Sequence, residues 1–357
     1  MGTSLAASSI FSPQVIVLAP IISFALVLAL FGFYTLLFGL SFHLLRHAKN
    51  ISHQKLHLSW MLSLFLVSSV GGMMNAASNI DDLVFAYNAI RTQDFARFLK
   101  FITQDPAETV MTGFSYICLV LANTVADSVI IHRIYLVWGS KLWIIILPAI
   151  VSLAINAVGL ASAIMRTIGF PNGGNEAIFE LELKGVNYGL GFFYANATLN
   201  MVLTMMIAGR IWWVARQIST CFGQNGVINA KYKDIIAVLV ECGFLYPIAL
   251  IAHAVVEGNQ SRIAIPVDLT GPVILLAGIA PTLIILSTCI GRKLGQRVID
   301  SQGTATTGTP VFQGGVDSIQ NISSFMQVAH ASQDGSTLNP GQNTEVEIEM
   351  KRIIVEV

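Results

Sequence analysis

The chain has 357 residues, of which 54% are hydrophobic and 11% charged, with Lys+Arg and Asp+Glu each totalling 20. A soluble domain carries about 25% charged residues, so this much apolar surface excludes an ordinary water-soluble fold. The formal net charge of zero excludes a dedicated nucleic-acid binder, which shows a basic stripe or patch.

Roughly 20 apolar residues in helical conformation cross about 30 Å of hydrocarbon. Seven such runs follow one another, at about 15–45, 56–78, 110–138, 142–165, 186–209, 235–256 and 267–290. They predict an all-α, seven-transmembrane-helix bundle over residues 1–300. The segment ahead of the first run has no Lys or Arg. It lacks the charged region of a cleaved signal peptide, so the first span reads as an uncleaved insertion signal.

After the second span, Phe95, Phe98 and Phe101 recur every third residue among Asp94, Arg97 and Lys100. This predicts an amphipathic helix that lies on the membrane surface or folds over the mouth of the bundle. Asp127 stands in the third span and Glu241 in the sixth, while Asn196, Asn200 and Thr204 share one face of the fifth. Past the seventh span, Ile290, Leu294 and Val298 mark a short amphipathic continuation. Residues 301–357 are rich in Ser, Thr, Gly, Gln and Asn at first and predict a disordered polar tail.

Lys and Arg in short connections set orientation. One set of flanks holds Arg46, Lys49, Lys55, Arg133, Lys141, Arg210, Arg216, Lys231, Lys233, Arg292, Lys293 and Arg297; the opposite set holds only Arg91, Arg97, Lys100, Arg166, Lys184 and Arg262. The N-terminus is therefore expected outside and the C-terminus in the cytosol of a multi-pass membrane protein, with the plasma membrane as its expected site. Trp60, Trp138, Trp143, Trp212 and Trp213 all fall near the cytosolic ends of spans two to five, where indole rings act as interfacial anchors. Cys118, Cys221, Cys242 and Cys289 offer no outer-face disulfide. Cys289, at the inner end of span seven, is a candidate for palmitoylation or else a small buried hydrophobe.

An ionisable group at membrane depth costs about 2.5–3.5 kcal/mol on insertion scales and so calls for a partner or a role. Asp127 and Glu241 lie in the cytosolic half with His132, Arg133, Tyr135 and Arg210. These predict an inner polar cluster between spans three, five and six, in which Arg133 or Arg210 pairs with Glu241 and tethers the helix ends. The alternative is a permanent salt bridge that only neutralises charge during assembly.

Three segments together carry a resemblance: Asp127 through His132-Arg133-Ile134-Tyr135 to Trp138, Ala208-Gly209-Arg210-Ile211-Trp212-Trp213, and Glu241-Cys242-Gly243-Phe244-Leu245-Tyr246-Pro247. The chain resembles a family of receptor-like seven-transmembrane proteins of mushroom-forming (basidiomycete) fungi, to which no ligand or reaction is assigned. The resemblance implies the architecture and a receptor-like role. Compared with rhodopsin-type receptors, His132-Arg133-Ile134-Tyr135 stands where an Asp/Glu-Arg-Tyr signature would, and Ala280-Pro281-Thr282 replaces Asn-Pro-x-x-Tyr.

The leading expectation is a sensor of a small or lipophilic extracellular ligand that signals by movement of helices three, five and six, with the lipid bilayer and a heterotrimeric G protein or other cytosolic protein as partners. A proton-coupled transporter and a non-signalling scaffold are the alternatives, the transporter disfavoured by the lack of an internal repeat. No enzyme activity, cofactor or metal is expected. His43, His47, His53 and His57 have metal-compatible spacing but crowd one basic flank, and span seven has no Lys to form a retinal Schiff base.

Overall fold

The computed structural model describes residues 13–47, 54–92, 106–139, 141–169, 176–221, 226–259, 262–263 and 267–303. These form seven helices: α1 Pro13–His47, α2 Gln54–Thr92, α3 Pro106–Val137, α4 Leu142–Gly169, α5 Glu176–Cys221, α6 Gly226–Gly258 and α7 Thr270–Gly303. No strand occurs among the described residues. Each helix contains a stretch long and apolar enough to cross a membrane. The chain is an integral, multi-pass membrane protein. The amphipathic segment expected at 94–102 and the tail beyond residue 303 lie outside the described residues.

The helices overrun the apolar runs that announce them. α2 continues to Thr92, well past Ser78, and α5 spans 46 residues, about 69 Å, more than twice the hydrocarbon thickness. Backbone hydrogen bonds of a helix do not depend on side-chain hydropathy, so the helix persists into polar sequence wherever no breaker stops it. Pro106 opens α3, where its missing N–H would have no partner in any case. Asp268 caps α7, its Oδ1 accepting the Thr270 N–H at 2.9 Å.

Sequence neighbours pack side by side, α1 closes against α7, and α3 and α7 run through the middle of the bundle. α7 is the most enclosed, 83% of its apolar window being buried against 22% for α1 and α4. The bundle has two unlike ends. One carries Arg46, Lys55, Lys141, Arg210 and Arg216, and we call it the basic end. The other carries Asp81, Asp82, Glu108, Glu182, Glu257 and Asp268, and is the acidic end.

Close helix approach depends on glycine. A Cβ on Gly278 of α7 would stand 2.7 Å from Tyr34 Cζ of α1 and 2.8 Å from Ser68 Oγ of α2. Tyr34 is wholly buried, edge-on to Phe65 at 5.3 Å, and has nowhere to move. Gly278→Ala should therefore lower stability by about 1–3 kcal/mol through overpacking. Gly191→Ala, where a Cβ meets nothing within 4 Å, should be neutral or gain up to about 1 kcal/mol from helix propensity. Thermal unfolding of both variants in one detergent measures the contrast; equal effects would contradict it.

Candidate functional site

Three helices each present two polar side chains four residues apart, which places each pair on one face. α3 gives Asn123 and Asp127, α4 gives Ser152 and Asn156, and α5 gives Asn196 and Asn200; all are buried. In spans that are largely apolar, these pairs satisfy one another across the helices, with backbone carbonyls one turn back and Tyr246 of α6 as further partners.

They converge on Asp127, which is 1% exposed and lies about 15 Å along α3 from its basic end. Its Oδ2 accepts the Ser152 hydroxyl at 2.6 Å, Asn156 Nδ2 at 3.2 Å and Asn123 Nδ2 at 3.4 Å. Asn200 Nδ2 donates to its Oδ1 at 3.3 Å. Asn123 extends the network: its Nδ2 donates to Asn156 Oδ1 at 2.9 Å, and its Oδ1 accepts Asn196 Nδ2 at 2.6 Å and the Tyr246 hydroxyl of α6 at 3.0 Å. Four helices are joined through one carboxylate and four amides. The hydrogen-bond partners of Asp127 are all neutral groups, so dipoles alone hold its carboxyl group.

Nearer the acidic end, Arg166 of α4 pairs with Glu257 of α6, both side chains nearly enclosed. The guanidinium also lies 4.5 Å from the Tyr116 ring centroid of α3. His253, one turn before Glu257, packs edge-on to Phe193 at 4.5 Å and places Nε2 3.5 Å from Glu257 Oε2. Next to this layer, Asn75 of α2 donates to Asp268 Oδ2 at 2.7 Å and accepts the Gly271 N–H at 3.1 Å, tying α2 to the start of α7.

The predicted inner cluster divides into separate parts. Asp127 belongs to the amide network just described. His132 meets Trp60 of α2 edge-on, ring centroids 4.9 Å apart, and lies 6.5 Å from the Tyr135 ring. The Arg210 guanidinium sits over Trp213 at 4.5 Å and over Trp138 at 5.2 Å, a cation–π clamp between α3 and α5. Arg133 is half-buried near the same end. Glu241 is exposed on the outer surface of α6, and ion pairs between described residues include Arg166–Glu257, Lys184–Glu180 and His253–Glu257. The expected tether of Arg133 or Arg210 to Glu241 is not among these pairs. Cys289 lies within α7, at a position whose side chain is outside the description.

Comparison with family models, curated proteins and solved structures finds no match.

The tryptophans also divide. Trp143, Trp212 and Trp213 are exposed, whereas Trp60 and Trp138 are half-buried partners of His132 and Arg210. Sequence reasoning missed Ser152, Asn156 and Tyr246 as members of the central network. A signal was present in the four-residue spacing of Ser152 and Asn156 inside an apolar run. It matches the spacing of Asn123 to Asp127 and Asn196 to Asn200.

Proposed function

We propose that the chain is a receptor-like sensor of a small or lipophilic ligand, with the central network as the element that shifts when α3, α5 and α6 move. The observation that carries this reading is the Asp127 carboxylate, buried in the bundle and held only by neutral donors from α3, α4 and α5. Such a network has more than one closed arrangement, because each amide presents a donor and an acceptor on opposite sides of one pivot. A small change in helix position then exchanges partners rather than stretching bonds. By the Lys/Arg bias the basic end faces the cytosol of the plasma membrane, and the Arg210 clamp between α3 and α5 transmits the motion there.

Proximity coupling between the basic end and a panel of Gα subunits tests the reading. Asp127→Asn is expected to change basal coupling several-fold and Arg133→Ala to remove it. Absence of coupling in every chain would reject a G-protein receptor and leave another cytosolic partner or a scaffold. A proton-coupled transporter is the second reading, favoured by one feature: Asp127 and the His253–Glu257 pair are ionisable layers stacked along the same bundle. Proton-driven uptake in vesicles, lost in Asp127→Asn, would select it.

A further inference from the structure

A groove of about 380 Å³ runs between α3 and α4, walled by Ile131, Ile145 and Leu153, floored by Ser152 and Asn156, and lined on its basic-end side by His132 and Tyr135. Its rim residues Thr124 and Ser128 are exposed, at a depth where the surroundings are hydrocarbon. Each hydroxyl is closed on its own helix, Thr124 on the Val120 carbonyl and Ser128 on the Thr124 carbonyl, both at 2.8 Å. The groove therefore opens sideways into the bilayer, and what enters it must already be dissolved there.

The floor selects the chemistry. Ser152 and Asn156 are each 6% exposed, and both hold Asp127. The Ser152 hydroxyl gives its proton to Asp127, and its oxygen accepts Asn156 Nδ2 at 3.2 Å. A hydroxyl oxygen has two acceptor sites, so one is left for a donor arriving from the groove. An anionic headgroup would meet the Asp127 carboxylate just behind that floor. A neutral hydroxyl on an apolar body satisfies both the walls and the floor, and the volume falls within the roughly 300–1,000 Å³ range of ligand sites.

We infer that this groove binds a neutral lipid alcohol, a sterol or a diacylglycerol, drawn from the bilayer. Its hydroxyl donates to Ser152 Oγ, which polarises that hydroxyl and strengthens its hydrogen bond to Asp127, so occupancy biases the central network. That consequence rests on the receptor-like reading; the site itself does not.

The test is photolabelling of the full chain in nanodiscs with a photoreactive sterol and, separately, a photoreactive diacylglycerol, followed by peptide mapping. One of the two should label residues 124–135 and 142–156, and excess unlabelled lipid of the same class should compete. Ala149→Trp, which fills the exposed groove position between the walls, should cut that labelling about tenfold, while Leu160→Trp on the same helix leaves it unchanged. Which probe labels decides between the two lipid sources. Labelling spread evenly over all lipid-facing helices, labelling that excess lipid does not displace, or no labelling by either probe would overturn the site. Saturable labelling of a chain that never couples to a cytosolic partner would instead count against the receptor reading alone.

Discussion

Asp127→Leu is expected to be among the most damaging single changes in the α3–α6 half of the bundle, lowering stability by about 3–5 kcal/mol. Leu matches Asp in branching but is larger, so some overpacking adds to the cost in this buried site. The Ser152 hydroxyl and the amides of Asn123, Asn156 and Asn200 lose their common acceptor in a place where water cannot replace it. Asp127→Asn keeps one carbonyl oxygen, which can accept two of those donors, and should cost less, about 1–2 kcal/mol. This scale agrees with interhelical hydrogen bonds in membranes averaging about 0.6 kcal/mol each. Thermal or denaturant unfolding in a lipid-like detergent gives the order native, Asn, Leu. If Asp127→Leu is as stable as the native chain, the amides re-pair among themselves and the carboxylate does not tie the helices together.

Loss of either member of the Arg166–Glu257 pair should cost about 3–5 kcal/mol, because the survivor is left as an uncompensated charge with little access to water. Removing both together should restore much of that loss. Arg166→Met and Glu257→Gln, alone and combined, form the required cycle. A coupling of at least about 2 kcal/mol is the expected result, whereas additive single effects would mean that Tyr116 and His253 carry the two charges independently. Glu257→Gln can still hydrogen-bond Arg166, so it should be the milder of the two single changes.

The seven helices were legible in the sequence because a bilayer sets a hard length requirement, and only seven runs meet it. Asp127 was legible for a related reason: a carboxylate in an apolar run stands out against its background. Its partners were less visible because Ser and Asn alone are ordinary in membrane helices, and only their shared spacing on three helices gives them away.

Glu241 shows what hydropathy does not contain. Tyr246 is 3% exposed and faces the network; five residues at about 100° each turn the helix by about 140° from one to the other. Glu241 therefore points away from the core whenever Tyr246 points into it. The rotation of α6 is set by packing, including Gly243, where an added Cβ would strike the Thr204 side chain of α5. By hydropathy Arg166 falls in an outer flank, because its apolar run stops at about residue 165, and the sixth run stops at about 256, just short of Glu257. The helices continue to Gly169 and Gly258, and this brings the two side chains together.

On the receptor-like reading, the Asp127 network fixes how α6 sits against the rest of the bundle at its basic end. Pulsed electron-spin distance measurement between labels at the exposed positions Lys55 of α2 and Ala237 of α6 tests this most directly. The native chain should give one narrow distance distribution, and Asp127→Asn should broaden it or shift it by several ångströms, on the scale of helix shifts in known switches. Superimposable distributions in a variant that unfolds at lower temperature would contradict the account, reducing the network to a passive strut.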